Sequence, residues 1–336
     1  HATEETGANT QCDILVISPG IDTYGKFVGS FAKGAGEVIG EVELACRFYN
    51  GKIVAITGTN GKTTTTEVVE KIFNHSGVSC VACGNYGVPV ADVMLTDTIP
   101  DVLALEVSSF QLETIKDFCP DVSIWLNFDA DHMDRYKTLD DYKAAKLRIF
   151  KNQTPEQTAV IRAGERVGEI EANIIRFTSE HDNADYTVND LTIMYKGQPV
   201  IDLSQTKMRG LHNAENVMAA AAAAVALGMT HQQVLEALQG FAPPLHRCEL
   251  VRTLDGVEYI NDSKATNLHA LDSALRSQCR PIVLISGGKD KGLTYTGLSM
   301  RIEQSVKAAI VFGEISDQLE REFPASVPTP AAATLE

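Results

Sequence analysis

Residues 53–66 read IVAITGTNGKTTTT, in which β-branched residues lead into a glycine-bracketed turn, a lysine and a run of threonines. The glycine that opens the standard phosphate loop is replaced by Ile56, which leaves G-x-x-G-K-T across Gly58, Thr59, Asn60, Gly61, Lys62 and Thr63, with Thr64 behind it. A buried strand that hands such a turn to a helix start aims free backbone N–H groups and the positive end of the helix dipole at one point. A phosphate binds there. Lys62 is placed to hold the outer phosphates and Thr63 a magnesium ion; the plain alternative is a glycine turn with an exposed lysine.

Two further strand-like runs end in reactive side chains. VLALEVSSFQLE carries Glu106 where its strand closes, and VSIWLNFDADHMDRY carries Asn127, Asp129, Asp131 and His132 just past its strand. Ligands of parallel sheets bind outside the carboxyl ends of the strands, so Glu106 and His132 are expected to face the phosphates held by Lys62, as metal ligands. Taken singly, Glu106 reads equally as a helix N-terminal charge and His132 as a loop residue. In LDDYKAAKLRIFKN a helix sets Tyr142, Lys146, Ile149 and Phe150 on one face, which puts an ammonium among apolar groups. From the pattern alone Lys146 either snorkels to solvent or has a task there.

The elements needed to position these residues alternate in the α/β manner. Strand-length apolar runs stand at 13–17, 52–57, 102–107, 122–127, 157–161, 281–286 and 307–312, with helix-length segments between many of them, which predicts parallel strands joined by crossover helices. Residues 184–203 alternate instead, with turn signals at Asn189-Asp190 and Lys196-Gly197, and read as antiparallel hairpins at an edge of the main sheet. NAENVMAAAAAAVALG predicts a strong helix stopped by Gly228, and a second helix runs from Thr230 to Gly240. The prolines of FAPPLHR mark a domain boundary near 243, and a second falls near 50. The first 50 or so residues are too short to be a whole domain and the last 90 or so stop in mid-pattern at PTPAAATLE, so both ends read as incomplete.

Composition narrows the class. Hydrophobic residues make up 44% and charged residues 22%, ordinary for a globular protein. Asp and Glu outnumber Lys and Arg by 44 to 29, and the net charge of −15 argues against a nucleic-acid partner. No apolar run approaches the roughly 18 residues of a membrane span, and HATEETGANT has no signal pattern, so a cytoplasmic location is expected. Cys12, Cys46, Cys80, Cys83, Cys119, Cys248 and Cys279 are odd in number and mostly in apolar surroundings, which fits reduced, buried thiols. Cys80 and Cys83 form a C-x-x-C without a second pair, too little for a zinc site.

GTNGKTT, LEVSSFQLE, DHMDRY, YKAAKLRIF, GLHNAENVMAA, PPLHRCE, NDSKATN and SGGKDKG occur in an order and spacing that closely resemble the Mur ligases, and within them the D-glutamate-adding branch. The likeness runs from about residue 13 to 323. It implies an α/β fold with a central P-loop-type, mostly parallel sheet, a Rossmann-like C-terminal domain and the tail of a Rossmann-like N-terminal domain. The domains would be 1–50, part of the unit that binds the UDP substrate; 51–243, binding ATP; and 244–336, part of the unit that binds the amino acid.

The implied activity is ATP-dependent addition of D-glutamate to UDP-N-acetylmuramoyl-L-alanine through an acyl phosphate, in peptidoglycan precursor synthesis, by a monomer using two magnesium ions. By resemblance Thr63, Glu106, His132 and Lys146 hold metal, Lys146 as a carbamate formed with carbon dioxide, and Lys62 and Arg247 contact phosphate. Asn216 is similar to the adenine contact and Asp262 to the ribose contact. Lys264, Thr266 and Lys291 resemble the face that meets D-glutamate or the acyl phosphate. Ser18, Pro19 and Gly20 resemble the UDP-phosphate turn, and Asn85, Ser108, Gln111 and His132 the muramoyl-alanine side. Each has an ordinary reading too: SPG is a common turn, Asn85 follows a glycine as turn residues do, and Asp262 can cap a helix. Asp129-Ala130 stands where the family often carries Thr-Glu, and the glycine-rich UDP loop is absent. A sister ligase adding another amino acid and a non-catalytic nucleotide-binding relative are the alternatives.

Overall fold

The computed structural model of the chain describes residues 2–333 apart from 132–134, 181, 182, 209, 243–245, 247, 277, 279 and 291. Three of the expected site residues, His132, Arg247 and Lys291, lie outside the described residues. By internal contacts the chain divides into two compact units, His1–Met208 with Asn213–Ala242, and Arg209–His212 with Pro243–Glu336.

In the first unit β1 (Cys12–Ile17) and β2 (Ala35–Gly40) pair in parallel as a small separate sheet. The main sheet has nine strands: β3 (Lys52–Thr57), β4 (Cys80–Gly84), β5 (Val102–Glu106), β6 (Val122–Trp125), β7 (Thr158–Arg162), β8 (Asn173–Phe177), β9 (Tyr186–Asn189), β10 (Thr192–Tyr195) and β11 (Gln198–Asp202). Their order is β11-β10-β9-β8-β7-β6-β3-β5-β4. Pairing is parallel from β4 to β9 and antiparallel from β9 to β11, so the 184–203 hairpins form one edge, as their alternation predicts. The phosphate-loop strand β3 lies between β5 and β6, with Ile56 opposite Glu106 and Thr57 opposite Trp125. That register aligns three strand ends.

Both faces of the sheet are covered. Val54 and Ile56 join one buried cluster with Val68, Val69 and Ile72 of helix Lys62–His75 and with Ala219–Ala224 of helix Leu211–Ala226. Ile53 and Ala55, on the opposite face by the two-residue period of a strand, join Leu103, Leu105, Val42 and Tyr49 in a second cluster. Strands buried on both faces read as continuous apolar runs, which is why β3, β5 and β6 stand out in the sequence. β2, β4 and β8 do not. AGEVIG is glycine-rich, CVACG is short, and Asn173 and Ile174 of NIIRF are exposed, so none shows a sustained apolar run.

The second unit has β12 (Glu249–Leu254) antiparallel to β13 (Val257–Asn261), and β14 (Ile282–Gly288) parallel to β15 (Val306–Gly313). The hairpin departs from the expected strand-and-helix pattern. Its turn is Asp255-Gly256, both at positive φ (51° and 79°), a pair that signals a tight hairpin. Leu275, Ile302, Ala309, Val311, Leu319 and Phe323 form the core around β15.

Candidate active site

The phosphate loop is held by hydrogen bonds from its neighbours. Gly61 caps helix Lys62–His75 with φ 86°, the left-handed region, and a Cβ there would lie 2.4 Å from Asn216 Oδ1. Glycine is therefore required on both counts. Asn127, just past β6, clamps the loop: its Oδ1 accepts from Asn60 N at 2.9 Å and Thr59 N at 3.2 Å, and its Nδ2 donates to Asn60 O at 3.1 Å. Thr59 Oγ1 donates to Asp129 O at 3.2 Å and accepts from Asp129 N at 3.0 Å. Lys62 Nζ donates to Gly58 O at 2.9 Å and Thr59 O at 3.0 Å. Thr64 is buried within the helix, whereas Thr63 at the helix start is partly accessible.

Glu106 is buried at the end of β5, and its two oxygens face different residues: Thr63 Oγ1 donates to Oε2 at 2.9 Å and Asn85 Nδ2 to Oε1 at 2.8 Å. Asn85 follows Gly84, at φ 97°, where a Cβ would lie 2.4 Å from Glu106 O, so only glycine lets β4 close on β5 at this point. Neighbouring strand ends thus bring Thr63, Asn85 and Glu106 together.

Lys146 does not snorkel. It is 2% exposed on helix Leu139–Leu147, donates from Nζ to Gly58 O at 3.0 Å, and lies 4.9 Å from the centre of the Tyr142 ring. Gly58 O thus accepts from both lysines. Burial first, and the Lys62 charge second, hold the Lys146 amine well below the usual lysine value, while Asp131 and Glu106 pull the other way. Tyr142, Ile149 and Phe150 are buried too, as the face predicted from their spacing requires. Among the described residues no three His, Cys, Asp or Glu side chains gather into a metal site.

Asn216 is buried on helix Leu211–Ala226 and accepts from Thr65 Oγ1 at 3.3 Å, which sets it against the phosphate-loop helix. The preceding residue anchors it. Glu215 receives Arg162 Nε from the end of β7 at 2.9 Å and Ser179 Oγ at 2.8 Å.

A cleft in the same unit is lined by Ile17, Ser18, Pro19, Thr23, Gly40, Glu41, Val42, Phe110, Gln111 and Thr114. It brings Ser18 and Pro19, at the end of β1, together with Gln111. Gly20 is exposed beside them in a turn closed by Ile21 N donating to Ser18 O at 3.1 Å. Ser108 and Gln111 also form a capping box on helix Ser109–Leu112, so their side chains serve the local fold as well.

In the second unit Asp262 Oδ1 accepts from Cys248 N at 3.0 Å, and Lys264 N donates to His246 O at 3.1 Å. Burial, with Asp262 alongside, pushes the Cys248 thiol up to about 12. Asp262 therefore ties Cys248 to the end of β13, while Lys264 and Thr266 are exposed. Cys12, Cys46, Cys80, Cys83, Cys119 and Cys248 are free thiols; Cys80 and Cys83 are buried, but Cys119 is exposed, unlike the buried thiols expected.

The Mur ligase middle domain matches residues 56–224, a span that opens on the phosphate-loop strand and closes on the alanine-rich helix. The chain is 40% identical over 326 residues to a UDP-N-acetylmuramoylalanine–D-glutamate ligase of Alkaliphilus metalliredigens, covering 94% of this chain and 72% of that protein. This chain belongs to the Mur ligase family. A protein of the same description from Geobacter metallireducens is 37% identical over 333 residues, covering 96% of this Mur ligase and 74% of its relative. Among solved structures, MurF from Acinetobacter baumannii superposes with a TM-score of 0.69 at 15% identity, covering 99% of this chain and 84% of that one. The UDP-N-acetylmuramate-alanine ligase MurC of Thermotoga maritima gives 0.66 at 19% identity, covering 96% and 77%. At such identities the structures speak for the fold alone, and it is the α/β fold with a mostly parallel central sheet expected of a Mur ligase.

Proposed function

We propose that this Mur ligase joins D-glutamate to UDP-N-acetylmuramoyl-L-alanine with hydrolysis of ATP, a step of peptidoglycan precursor synthesis. The observation that carries the reading is the 40% identity across 94% of the chain to a ligase named for those two substrates. In this reading residues 1–50 are the tail of the UDP-substrate domain, 51–243 the ATP domain and 244–336 part of the amino-acid domain, in a monomer placed in the cytoplasm. No helix among the described residues is long and apolar enough to cross a membrane.

The substrate carboxylate attacks the γ-phosphorus of ATP and ADP leaves; the neutral amine of D-glutamate then attacks the acyl carbon, inorganic phosphate leaves, the nitrogen gives up a proton to solvent and the amide forms. Such transfer is mostly positioning and charge neutralisation. Lys62 and the N-terminal turn of helix Lys62–His75, in the loop that Asn127 holds in shape, bind the outer phosphates, Asn216 the adenine, Asp262 the ribose, and Arg247 a phosphate. Ser18, Pro19 and Gly20 take the UDP end, Asn85, Ser108, Gln111 and His132 the muramoyl-alanine end, and Lys264, Thr266 and Lys291 the D-glutamate or acyl phosphate.

The Thr63 hydroxyl and Glu106 carboxylate are adjacent hard oxygen donors, the type magnesium takes. We assign them, with His132 and a carbamylated Lys146, to two magnesium ions. Bound magnesium would neutralise charge on the transferring phosphoryl group. What supports the carbamate is the burial of Lys146 and the neighbouring Lys62 charge, both of which favour the neutral amine. Its nitrogen lone pair adds to the carbon of carbon dioxide, a proton leaves to solvent, and an anion replaces the amine among cations.

Phosphate release by the full-length protein tests the reading: it should require UDP-N-acetylmuramoyl-L-alanine and run fastest with D-glutamate. Equal rates with L-alanine, L-lysine and D-glutamate would overturn the D-glutamate assignment.

A further inference from the structure

One buried carboxylate near the cleft has no part in the reaction just described. The Glu113 side chain is 3% exposed at the end of helix Ser109–Leu112, and collects Thr23 Oγ1 at 3.0 Å, Arg135 Nη2 at 2.8 Å and Tyr136 OH at 2.7 Å. The donors come from two distant places. Thr23 follows the Ser18–Pro19–Gly20 turn, whereas Arg135 and Tyr136 follow the loop of Asn127, Asp129 and Asp131. Arg135 also donates to Pro19 O and Thr23 Oγ1, each at 3.4 Å, with its guanidinium 4.5 Å from the centre of the Phe110 ring.

The contacts continue inward. Tyr136 stacks on Phe110 with ring centres 5.8 Å apart and packs on Tyr142 at 5.2 Å, and Tyr142 carries Lys146 over its ring. Ser18, Gly20, Ile21 and Asp22 are exposed, so the turn takes its position from its anchored side, and a charge-assisted bond to a buried carboxylate is a stiff anchor.

We propose that Glu113 and Arg135 are positioning residues of the ligase, holding the Ser18–Thr23 turn, and with it the UDP-bearing substrate, in register with the Asp129–Asp131 loop and Lys146. The proposal rests on the substrate assignment given above. It assigns neither residue to the reacting atoms, and so predicts a selective effect on one substrate.

The test is steady-state kinetics of the full-length protein, varying UDP-N-acetylmuramoyl-L-alanine and ATP separately, with direct ATP binding measured on each variant. Glu113→Gln keeps the shape but loses the charge, and Arg135→Lys keeps the charge but loses the planar fork; each should raise the KM for the UDP substrate roughly tenfold, with the KM and Kd for ATP within about twofold of wild type. Thr23→Val, which deletes one partly accessible donor and leaves the Glu113–Arg135 pair, should raise the same KM about threefold. If Glu113→Gln fails to bind ATP, Thr23→Val and Arg135→Lys decide. An unchanged KM for the UDP substrate, or an equal rise for both substrates, would overturn the clamp. Wild-type turnover independent of the UDP substrate would instead overturn the assignment on which the clamp rests.

Discussion

Replacing Asn127 with alanine deletes three hydrogen bonds from the phosphate loop, those to Thr59 N, Asn60 N and Asn60 O. Thr59 N also donates to the Asn127 backbone carbonyl at 3.1 Å, and that bond survives the substitution. The bonds of Asn60 N and Asn60 O to the Asn127 side chain are then lost, and at roughly 1 kcal/mol net each the loop loses about 2 kcal/mol of preorganisation. Since about 1.4 kcal/mol is a factor of ten, the affinity for ATP should fall about thirtyfold while the fold persists. Asn127→Asp keeps the acceptor but loses the donor and sets a carboxylate beside the phosphates, so it should bind ATP no better than the alanine variant. Titration with a fluorescent nucleotide, together with the KM for ATP, measures both. An alanine variant within twofold of wild type would refute the claim that Asn127 preorganises the loop.

Lys62→Ala should lower turnover about a hundredfold or more with the fold intact, the usual cost of losing one preorganised charge donor, and a change within twofold would make the loop merely structural. Lys146→Ala should lose activity and regain part of it with acetate or formate but not with chloride at equal ionic strength; a fully active variant indifferent to carboxylates would rule out the carbamate. Stability should also depend on Glu43, 1% exposed, whose burial raises its pKa but whose bonds from Lys116 N, Asp117 N, Phe118 N and Arg47 prevail and lower it below the ordinary 4.5. A depressed carboxylate stabilises above its unfolded value and loses that contribution as pH falls through its folded value, so melting temperature should drop below about pH 4.5 in the wild type and less steeply in Glu43→Gln. Identical slopes in the two proteins would show that Glu43 is not the group responsible.

Local signals carried much of this protein. The apolar runs of β3, β5 and β6, the G-x-x-G-K-T turn and the i, i+4 face of Tyr142 and Lys146 are all set by near neighbours in the chain, and the strands are the plainest because burial on both faces leaves an unbroken apolar record. The Asp255-Gly256 turn is as local a signal, but the strand-and-helix expectation passed over it because the exposed β12 and β13 around it lack that record. What neighbours in sequence do not encode is which strand ends meet. β3 lies between β5 and β6 only in the folded sheet, and from that order follow the Thr63–Glu106 and Asn85–Glu106 bonds and the Asn127 clamp. The fate of Lys146 was likewise undecided by its helix, since the same spacing serves a lysine that snorkels and one that is buried. Packing decided it: Tyr142 and Gly58 close over the amine, and only long-range contacts can withhold water from a charge.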